Sequence, residues 1–159
     1  MTAGFHGKHD SARRAHYLRL LWMALLSFIA MYGLMYAMVD RLGNVLSNFN
    51  QAYMAGLMAL PMVIIELLVM RSMYADRRLN VVILAACVVG TLALWFAIRE
   101  QAAIGERQFL RSMIPHHAGA ILMCQEADLV DPEALALCRQ IVDSQVAEIE
   151  QMKAMLAEH

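Results

Sequence analysis

The sequence predicts an all-α protein with three transmembrane helices followed by an extramembrane helical hairpin. Its 159 residues are 60% hydrophobic and 17% charged, whereas a soluble domain has roughly 45–50% apolar and about 25% charged residues. The apolar residues concentrate in three blocks, each near the length that a helix needs to cross a bilayer. In the last third of the chain they recur every three or four positions, which is the period of an amphipathic helix.

The three apolar blocks predict three transmembrane helices within residues 18–98. Leu20–Val39 is free of charge, Phe49–Met70 contains one ionisable residue, Glu66, and Leu79–Ile98 contains none. Each block is close to the ~20 residues that span the hydrocarbon core as a helix. The first block is longer than the apolar region of a cleavable signal peptide and lacks a small-residue cleavage site. Three buried helices of a soluble protein are the alternative interpretation.

The Lys and Arg residues near the span ends predict the orientation in the membrane. Residues 1–78 contain eight Lys/Arg and four Asp/Glu, whereas residues 99–159 contain five and ten. The basic residues of the first part lie in the N-terminal segment and in the second loop, while the first loop has only Arg41. We therefore expect the tail, residues 1–17, in the cytoplasm and the segment after Ile98 in the periplasm, with the spans in a bacterial inner membrane.

Residues 99–159 are predicted to form a periplasmic helical hairpin. Its first helix is expected over residues 101–129, and the run Asp131–Glu133 then has the pattern of an N-cap, a proline and an acidic first turn. The short connection makes the two helices antiparallel neighbours. Because only two residues separate the third block from the first hairpin helix, the third span can continue into it as one long helix, kinked at Pro115.

Each hairpin helix has an apolar stripe wide enough for more than one neighbour, so the two helices cannot bury both stripes against each other alone. A second copy of the chain is the simplest partner. It would give a four-helix bundle with two-fold symmetry outside the membrane. The sequence therefore predicts a homo-oligomer.

Histidine and methionine side chains converge in the first hairpin helix. Met113 and His117 are four residues apart and share one face of a helix. His116 and Met123 are seven apart and share the neighbouring face. Thioether and imidazole ligands suit soft or borderline ions, of which Cu(I) and its mimic Ag(I) fit best, whereas Mg²⁺ or Ca²⁺ would need clustered oxygens. The alternative is ordinary packing, with the histidines satisfied as core residues.

The antiparallel register suggests what the second helix adds. His117 is expected to face Gln145, with an error of one helical turn. Met113 then lies within one turn of two residues that could complete a site, Glu148 and Met152. Since His116 points about 100° away from His117 around the axis, we expect either two sites or one site that a second subunit shares.

The chain has three cysteines, Cys87, Cys124 and Cys138. Cys87 lies inside the third span, where it is expected to pack without reacting. The other two are each seven residues from Asp131 and therefore level with one another across the hairpin. A disulfide, a reduced core pair and a soft-metal thiolate pair all fit this spacing.

The motif M-I-P-H-H at Met113–His117, followed by A-I-x-M at 120–123 and E-I-x-x-M at Glu148–Met152, resembles the CopM-like family, filed as domain of unknown function three-zero-five. The resemblance covers roughly a third of the chain. It implies a ferritin-like helical bundle, outside the cytoplasm, that binds copper and silver in metal tolerance. Many relatives are exported soluble proteins, often with a doubled hairpin, whereas this chain fuses one hairpin to three spans and has Cys124 where alanine is common.

Sequence and resemblance together predict periplasmic, membrane-anchored binding of Cu(I), with silver as a second ion, for sequestration or handover. We do not expect an enzyme, because no Ser-His-Asp set, Gly-rich phosphate loop or CxxC motif is present. Nucleic acid is not an expected partner, since no basic face exists beyond the N-terminal segment. The candidate metal ligands are Met113, His116, His117, Met123, Met152 and, as a secondary candidate, Glu148.

Two other functions fit the sequence. The hairpin could be an oligomerisation device for a membrane scaffold. Alternatively, the chain could be a subunit of a metal transport path, in which a ladder of thioethers in the first two spans passes Cu(I) across the membrane. The ladder would consist of Met31, Met35, Met38, Met54, Met58 and Met62.

Overall fold

The computed structural model describes the backbone of residues 3–158 and the side chains of residues 14–158, so the side chains of most of the predicted N-terminal tail lie outside the described residues. Every regular element in this range is helical, as predicted. The α-helices are α1 (Ala3–Leu34), α2 (Phe49–Val69), α3 (Arg77–Arg99), α4 (Glu106–Glu126) and α5 (Pro132–Glu158). Two short 3-10 helices, Met35–Met38 and Leu42–Asn44, follow α1.

Three segments are long and apolar enough to cross a membrane: Arg14–Met38, Phe49–Val69 and Arg77–Arg99. They coincide closely with the three predicted blocks, so the prediction of three membrane-spanning helices is confirmed in length and composition. The chain also divides into two compact units. We call them the membrane unit, which contains the chain up to Tyr32 and Tyr53–Ala102, and the hairpin unit, which contains Gly33–Ala52 and the chain from Ala103.

The end of the first span differs from the expectation. The α-helix stops at Leu34, and the next four residues, Met35–Met38, wind as a 3-10 helix with three residues per turn. Of the methionines proposed for the thioether ladder, Met31 therefore lies in α1, and Met35 and Met38 lie in the 3-10 helix that follows it.

Small residues let the helices of the membrane unit approach closely. The buried face of α2 includes Ala55 and Ala59, four residues apart. A Cβ atom at Gly56 would lie 2.7 Å from Leu94 Cδ1, and one at Gly90 would lie 2.8 Å from a leucine Cδ1 of α2. Leucine side chains thus occupy the space that glycine leaves on the facing helix, as is common between transmembrane helices.

A chain of hydrogen bonds links all three helices at one end of the membrane unit. The Tyr17 hydroxyl donates to Asn80 Oδ1 at 2.8 Å, and Asn80 Nδ2 donates to the Tyr74 carbonyl at 2.8 Å. The Tyr74 hydroxyl donates in turn to Glu66 Oε1 at 3.2 Å. Burial, together with this bond to Glu66, raises the pKa of Tyr74. Glu66, the one ionisable residue of the second apolar block, therefore accepts a hydrogen bond from Tyr74.

The core of the hairpin unit lies between α4 and α5. The buried side chains of α4 recur at three- and four-residue intervals, and two buried side chains of α5 complete the cluster. Its members are Leu110, Ile114, Ala118, Ile121, Ile149 and Met152, with Val39, Leu46, Met113 and Leu156 packed against it. The spacing is that of one apolar stripe on each helix, as the sequence predicts.

The segment Gly33–Ala52 packs against α4 as a further layer of the hairpin unit. Arg111 Nη2 donates to Ser47 Oγ at 3.0 Å, and the Phe49 amide donates to Gln108 Oε1 at 3.1 Å. A second copy of the chain was the simplest partner predicted from the sequence to cover the hairpin. The first loop supplies part of that cover from within the same chain.

Asp40 organises the turn of this segment. Its carboxylate accepts hydrogen bonds from Asn44 Nδ2 at 2.6 Å and from Arg41 Nε at 2.9 Å. Burial alone would raise the pKa of Asp40, but these two bonds and the Arg41 charge outweigh it, so that the pKa lies below its ordinary value. The Asn44 side chain is completely buried as a result.

The third span does not continue into the hairpin, so the single long helix expected from the sequence is wrong. The Ala102 amide bonds to the Ala97 carbonyl at 2.8 Å and the Gln101 amide to the Ile98 carbonyl at 3.3 Å. With Gln101 at φ 49°, this is a Schellman motif that ends α3. Glycine is the usual residue at that left-handed position. Because Gln101 stands there instead, the sequence gives no sign that the helix ends.

Candidate metal centre

The turn end of the hairpin is fixed by a helix cap and a disulfide. Asp131 Oδ1 accepts the amides of Glu133 and Ala134 at 2.8 and 2.9 Å, which is the predicted N-cap of α5. Cys124 and Cys138 are disulfide-bonded, with Cα atoms 5.3 Å apart, a separation that falls well within the usual range. A disulfide, a reduced pair and a metal-binding thiolate pair all fitted the sequence, and the structure has the disulfide. These two sulfurs are therefore not free thiolate ligands.

His117 lies inside the hairpin with both ring nitrogens engaged. The residue is 9% exposed. Its Nδ1 is 2.9 Å from the Met113 carbonyl oxygen, one turn earlier in α4, and its Nε2 is 2.7 Å from Glu148 Oε2 in α5. The expected partner was Gln145, and Glu148 is three residues further along α5, within one helical turn of it.

These two contacts set the protons on the ring. A carbonyl oxygen can only accept, so Nδ1 carries a hydrogen and Nε2 faces α5. The contact with Glu148 Oε2 occupies Nε2. A metal ion that binds Nε2 must therefore break this contact and move the Glu148 carboxylate. The Glu148 side chain is 49% exposed, so it can turn outward into solvent.

Two thioethers belong to the same interface. Met152 is 8% exposed and is part of the core cluster, one turn after Glu148 on α5. Met113 packs against that cluster from α4, one turn before His117. The structure thus places four of the six candidate ligands in the contact between α4 and α5, with sulfur on both helices. We call these four residues the inner group.

His116 and Met123 lie outside this interface. His116 is exposed, Met123 is 55% exposed, and the rings of His116 and His117 are 5.9 Å apart between centroids at 63°. The difference between the two histidines follows from the roughly 100° rotation per residue of a helix. We call His116 and Met123 the outer pair.

The 3-10 helix that ends at Met38 packs on α4 near the outer pair, a neighbour that the sequence did not predict. A Cβ atom at Gly119 would lie 3.4 Å from the Met38 carbonyl oxygen and 3.9 Å from Met38 Cβ, so the 3-10 helix Met35–Met38 rests on Gly119. His116 and Met123 are three and four residues from Gly119 on the same side of α4. The signal in the sequence is the adjacent small pair Gly119 and Ala120, which leaves room for a neighbouring backbone.

Among the described residues 14–158, no three His, Cys, Asp or Glu side chains are grouped closely enough to hold a metal ion together. The inner group contains two residues of these types, His117 and Glu148, beside the thioethers of Met113 and Met152.

Residues 97–156 match the model of a family described as Domain of unknown function (DUF305). An uncharacterized protein of Acanthamoeba polyphaga mimivirus is 31% identical over 142 residues, which cover 87% of this chain and 91% of the viral protein. The chain belongs to the DUF305 family. Because the viral match covers so much of the chain, it extends beyond the DUF305 hairpin into the membrane-spanning helices. No solved structure matches the DUF305 chain.

Proposed function

We propose that this DUF305 protein is a membrane-anchored binder of Cu(I) and Ag(I) that sequesters the ion or hands it over in metal tolerance. The observation that carries the proposal is the placement of His117, a buried imidazole whose Nε2 faces Glu148 of α5, at an interface whose core cluster includes Met152 and is packed by Met113. Imidazole and thioether together form the ligand set that soft ions select.

Within the inner group, the His117 ring is hydrogen-bonded in the way that is usual for a metal-binding histidine. In metal sites the non-ligating nitrogen of a histidine usually donates to a carbonyl or carboxylate, which fixes the ring and its tautomer. The bond from His117 Nδ1 to the Met113 carbonyl does this here. Cu(I) would take the place of the Glu148 hydrogen bond at Nε2, with Met113 and Met152 as the sulfur donors and Glu148 either bound to the ion or turned outward into solvent.

The outer pair would form a second, more exposed site. His116 and Met123 offer one imidazole and one thioether, and the 3-10 helix brings Met38 beside them. A second subunit is the other source of donors for this pair. Such a subunit would also complete the ferritin-like four-helix bundle that the resemblance implies.

The proposed location is a bacterial inner membrane, with the N-terminus in the cytoplasm and the hairpin in the periplasm. Arginine-rich segments flank the predicted cytoplasmic ends of the spans. The disulfide between Cys124 and Cys138 independently supports a compartment in which disulfides persist. Labelling of an introduced surface cysteine by a membrane-impermeant reagent in intact cells tests this orientation.

Anaerobic titration with Cu(I), in competition with a chromophoric chelator, tests the binding itself. The wild type should bind the ion, and the variant Met113→Ala/His116→Ala/His117→Ala should not. The matched control is Met155→Ala, which removes an exposed thioether from the same hairpin. Equal binding by the triple variant and the control would remove the proposal.

The rival function is a structural scaffold, and the burial of Met152 in the apolar core is the observation that favours it. In that case the hairpin is indifferent to metal. Thermal melts with and without Cu(I) separate the two functions, because an ion that binds only the folded state raises the melting temperature. An unchanged melt at saturating Cu(I) would favour the scaffold.

A further inference from the structure

Five arginines lie near one end of the membrane unit. All five side chains are exposed; two are in the middle of α1, and three are in the segment from the α2–α3 connection to the first turn of α3. They are Arg14, Arg19, Arg71, Arg77 and Arg78. We call this group the arginine collar.

Hydrogen bonds between the two segments hold the collar together. Tyr17 lies between the two arginines of α1, and its hydroxyl donates to Asn80 Oδ1 at 2.8 Å. The Asp76 amide donates to the same hydroxyl at 3.3 Å, and the rings of Tyr17 and Tyr74 are 5.4 Å apart. The two segments that carry the arginines are therefore joined at one polar cluster.

The nearby carboxylates do not neutralise the collar. Residues 14–20 and 66–80 contain five arginines and only two acidic residues. Asp76 Oδ1 accepts the Leu79 amide at 3.1 Å as the N-cap of α3, and Glu66 accepts the Tyr74 hydroxyl. Within residues 14–158 the ion pairs lie elsewhere, at Asp40, His117 and Lys153 with their partners.

The positive charge is confined to this end of the spans. Residues 99–107, which follow the last span, contain two arginines and two glutamates and are balanced. The collar lies within a few residues of the apolar stretches of α1, α2 and α3, which is the depth of phospholipid headgroups. Guanidinium groups bind phosphate through paired hydrogen bonds, so the charge and the geometry both complement an anionic headgroup.

We propose that the arginine collar binds the phosphate headgroups of anionic phospholipids and so enriches them around the membrane unit. This inference does not depend on metal binding by the hairpin. The collar offers several exposed guanidinium groups over a wide rim, which suits an annulus of lipids in the surrounding leaflet.

The test is lipid retention by the full-length protein. The protein is reconstituted in nanodiscs that contain equal amounts of phosphatidylcholine and phosphatidylglycerol, extracted in mild detergent, and its bound lipids are counted by native mass spectrometry. Wild type should retain phosphatidylglycerol preferentially. Arg71→Gln/Arg77→Gln/Arg78→Gln should lose that preference, by about fivefold for each arginine removed.

The matched control is Arg99→Gln/Arg107→Gln/Arg139→Gln, which removes three exposed arginines outside the collar and should leave the preference intact. Added NaCl should weaken retention by screening, and inorganic phosphate at equal ionic strength should weaken it further, because phosphate competes for the same guanidinium groups. If the collar variant fails to fold, Arg77→Gln alone is expected to lose about fivefold. Unchanged lipid preference in the folded collar variants would overturn the proposal, as would an equal loss in the control.

Discussion

Loss of the disulfide should loosen the hairpin unit. The bond joins cysteines 14 residues apart in sequence, and closing a loop of this size lowers the chain entropy of the unfolded state enough to stabilise the fold by about 3 kcal/mol. Cys124→Ala/Cys138→Ala should lower the free energy of unfolding of the hairpin by that amount. Since about 1.4 kcal/mol corresponds to tenfold, the most protected amides of α4 and α5 should exchange roughly a hundredfold faster.

Hydrogen exchange of the full-length protein in detergent, followed by mass spectrometry, measures this effect helix by helix. Oxidised wild type, reduced wild type and the double variant are compared, and the latter two should agree. Cys87→Ala is the control, because it removes the buried free thiol of α3 and should leave exchange in α4 and α5 unchanged. If reduction does not speed exchange in these helices, the core cluster alone holds the hairpin and the loop-closure reasoning is refuted.

Four further substitutions test contacts within the hairpin unit. Gly119→Ala places a methyl group 3.4 Å from the Met38 carbonyl oxygen, which is an ordinary contact, and alanine favours a helix interior, so the melting temperature should not fall below that of wild type. Gly119→Leu should lower it and open residues 33–52 to protease, and equal behaviour of the two variants would contradict that packing. Because the pKa of Asp40 is lowered on folding, its contribution to stability is present above the ordinary aspartate pKa and is lost as the pH falls through the lowered value. Asp40→Asn should flatten this acid-side loss in melts at graded pH, and an unchanged slope would exclude Asp40 as its source. Glu148→Ala leaves His117 Nε2 without its hydrogen-bond partner and should reduce the free energy of unfolding by about 1 kcal/mol in denaturant titrations. No change would mean that the bond makes no net contribution to stability.

Local patterns in the sequence sufficed for the spans and for the hairpin. The three apolar blocks are visible because a bilayer imposes a fixed length on each helix. The cap at Asp131 and the level placement of Cys124 and Cys138 follow from a short antiparallel turn. The same reasoning placed His117 within one turn of its true neighbour on α5, because antiparallel helices advance together from the turn.

Features that depend on tertiary contacts could not be predicted. The Schellman end of α3 uses Gln101 where glycine would have marked it. The packing of Met38 on Gly119 joins residues far apart in sequence. No pattern in the first loop predicts that it packs against α4. Glu148, not the expected Gln145, lies opposite His117. Which residue lies there depends on the axial offset of the two packed helices, and the turn alone does not fix that offset.

Anomalous scattering at the copper edge, from crystals of the full-length protein soaked anaerobically with Cu(I), tests the metal-binding proposal most directly. We predict a copper peak bonded to His117 Nε2, with Glu148 displaced from its present contact and sulfur of Met113 or Met152 beside the ion. A map without a peak in the hairpin, with His117 still bonded to Glu148, would contradict it.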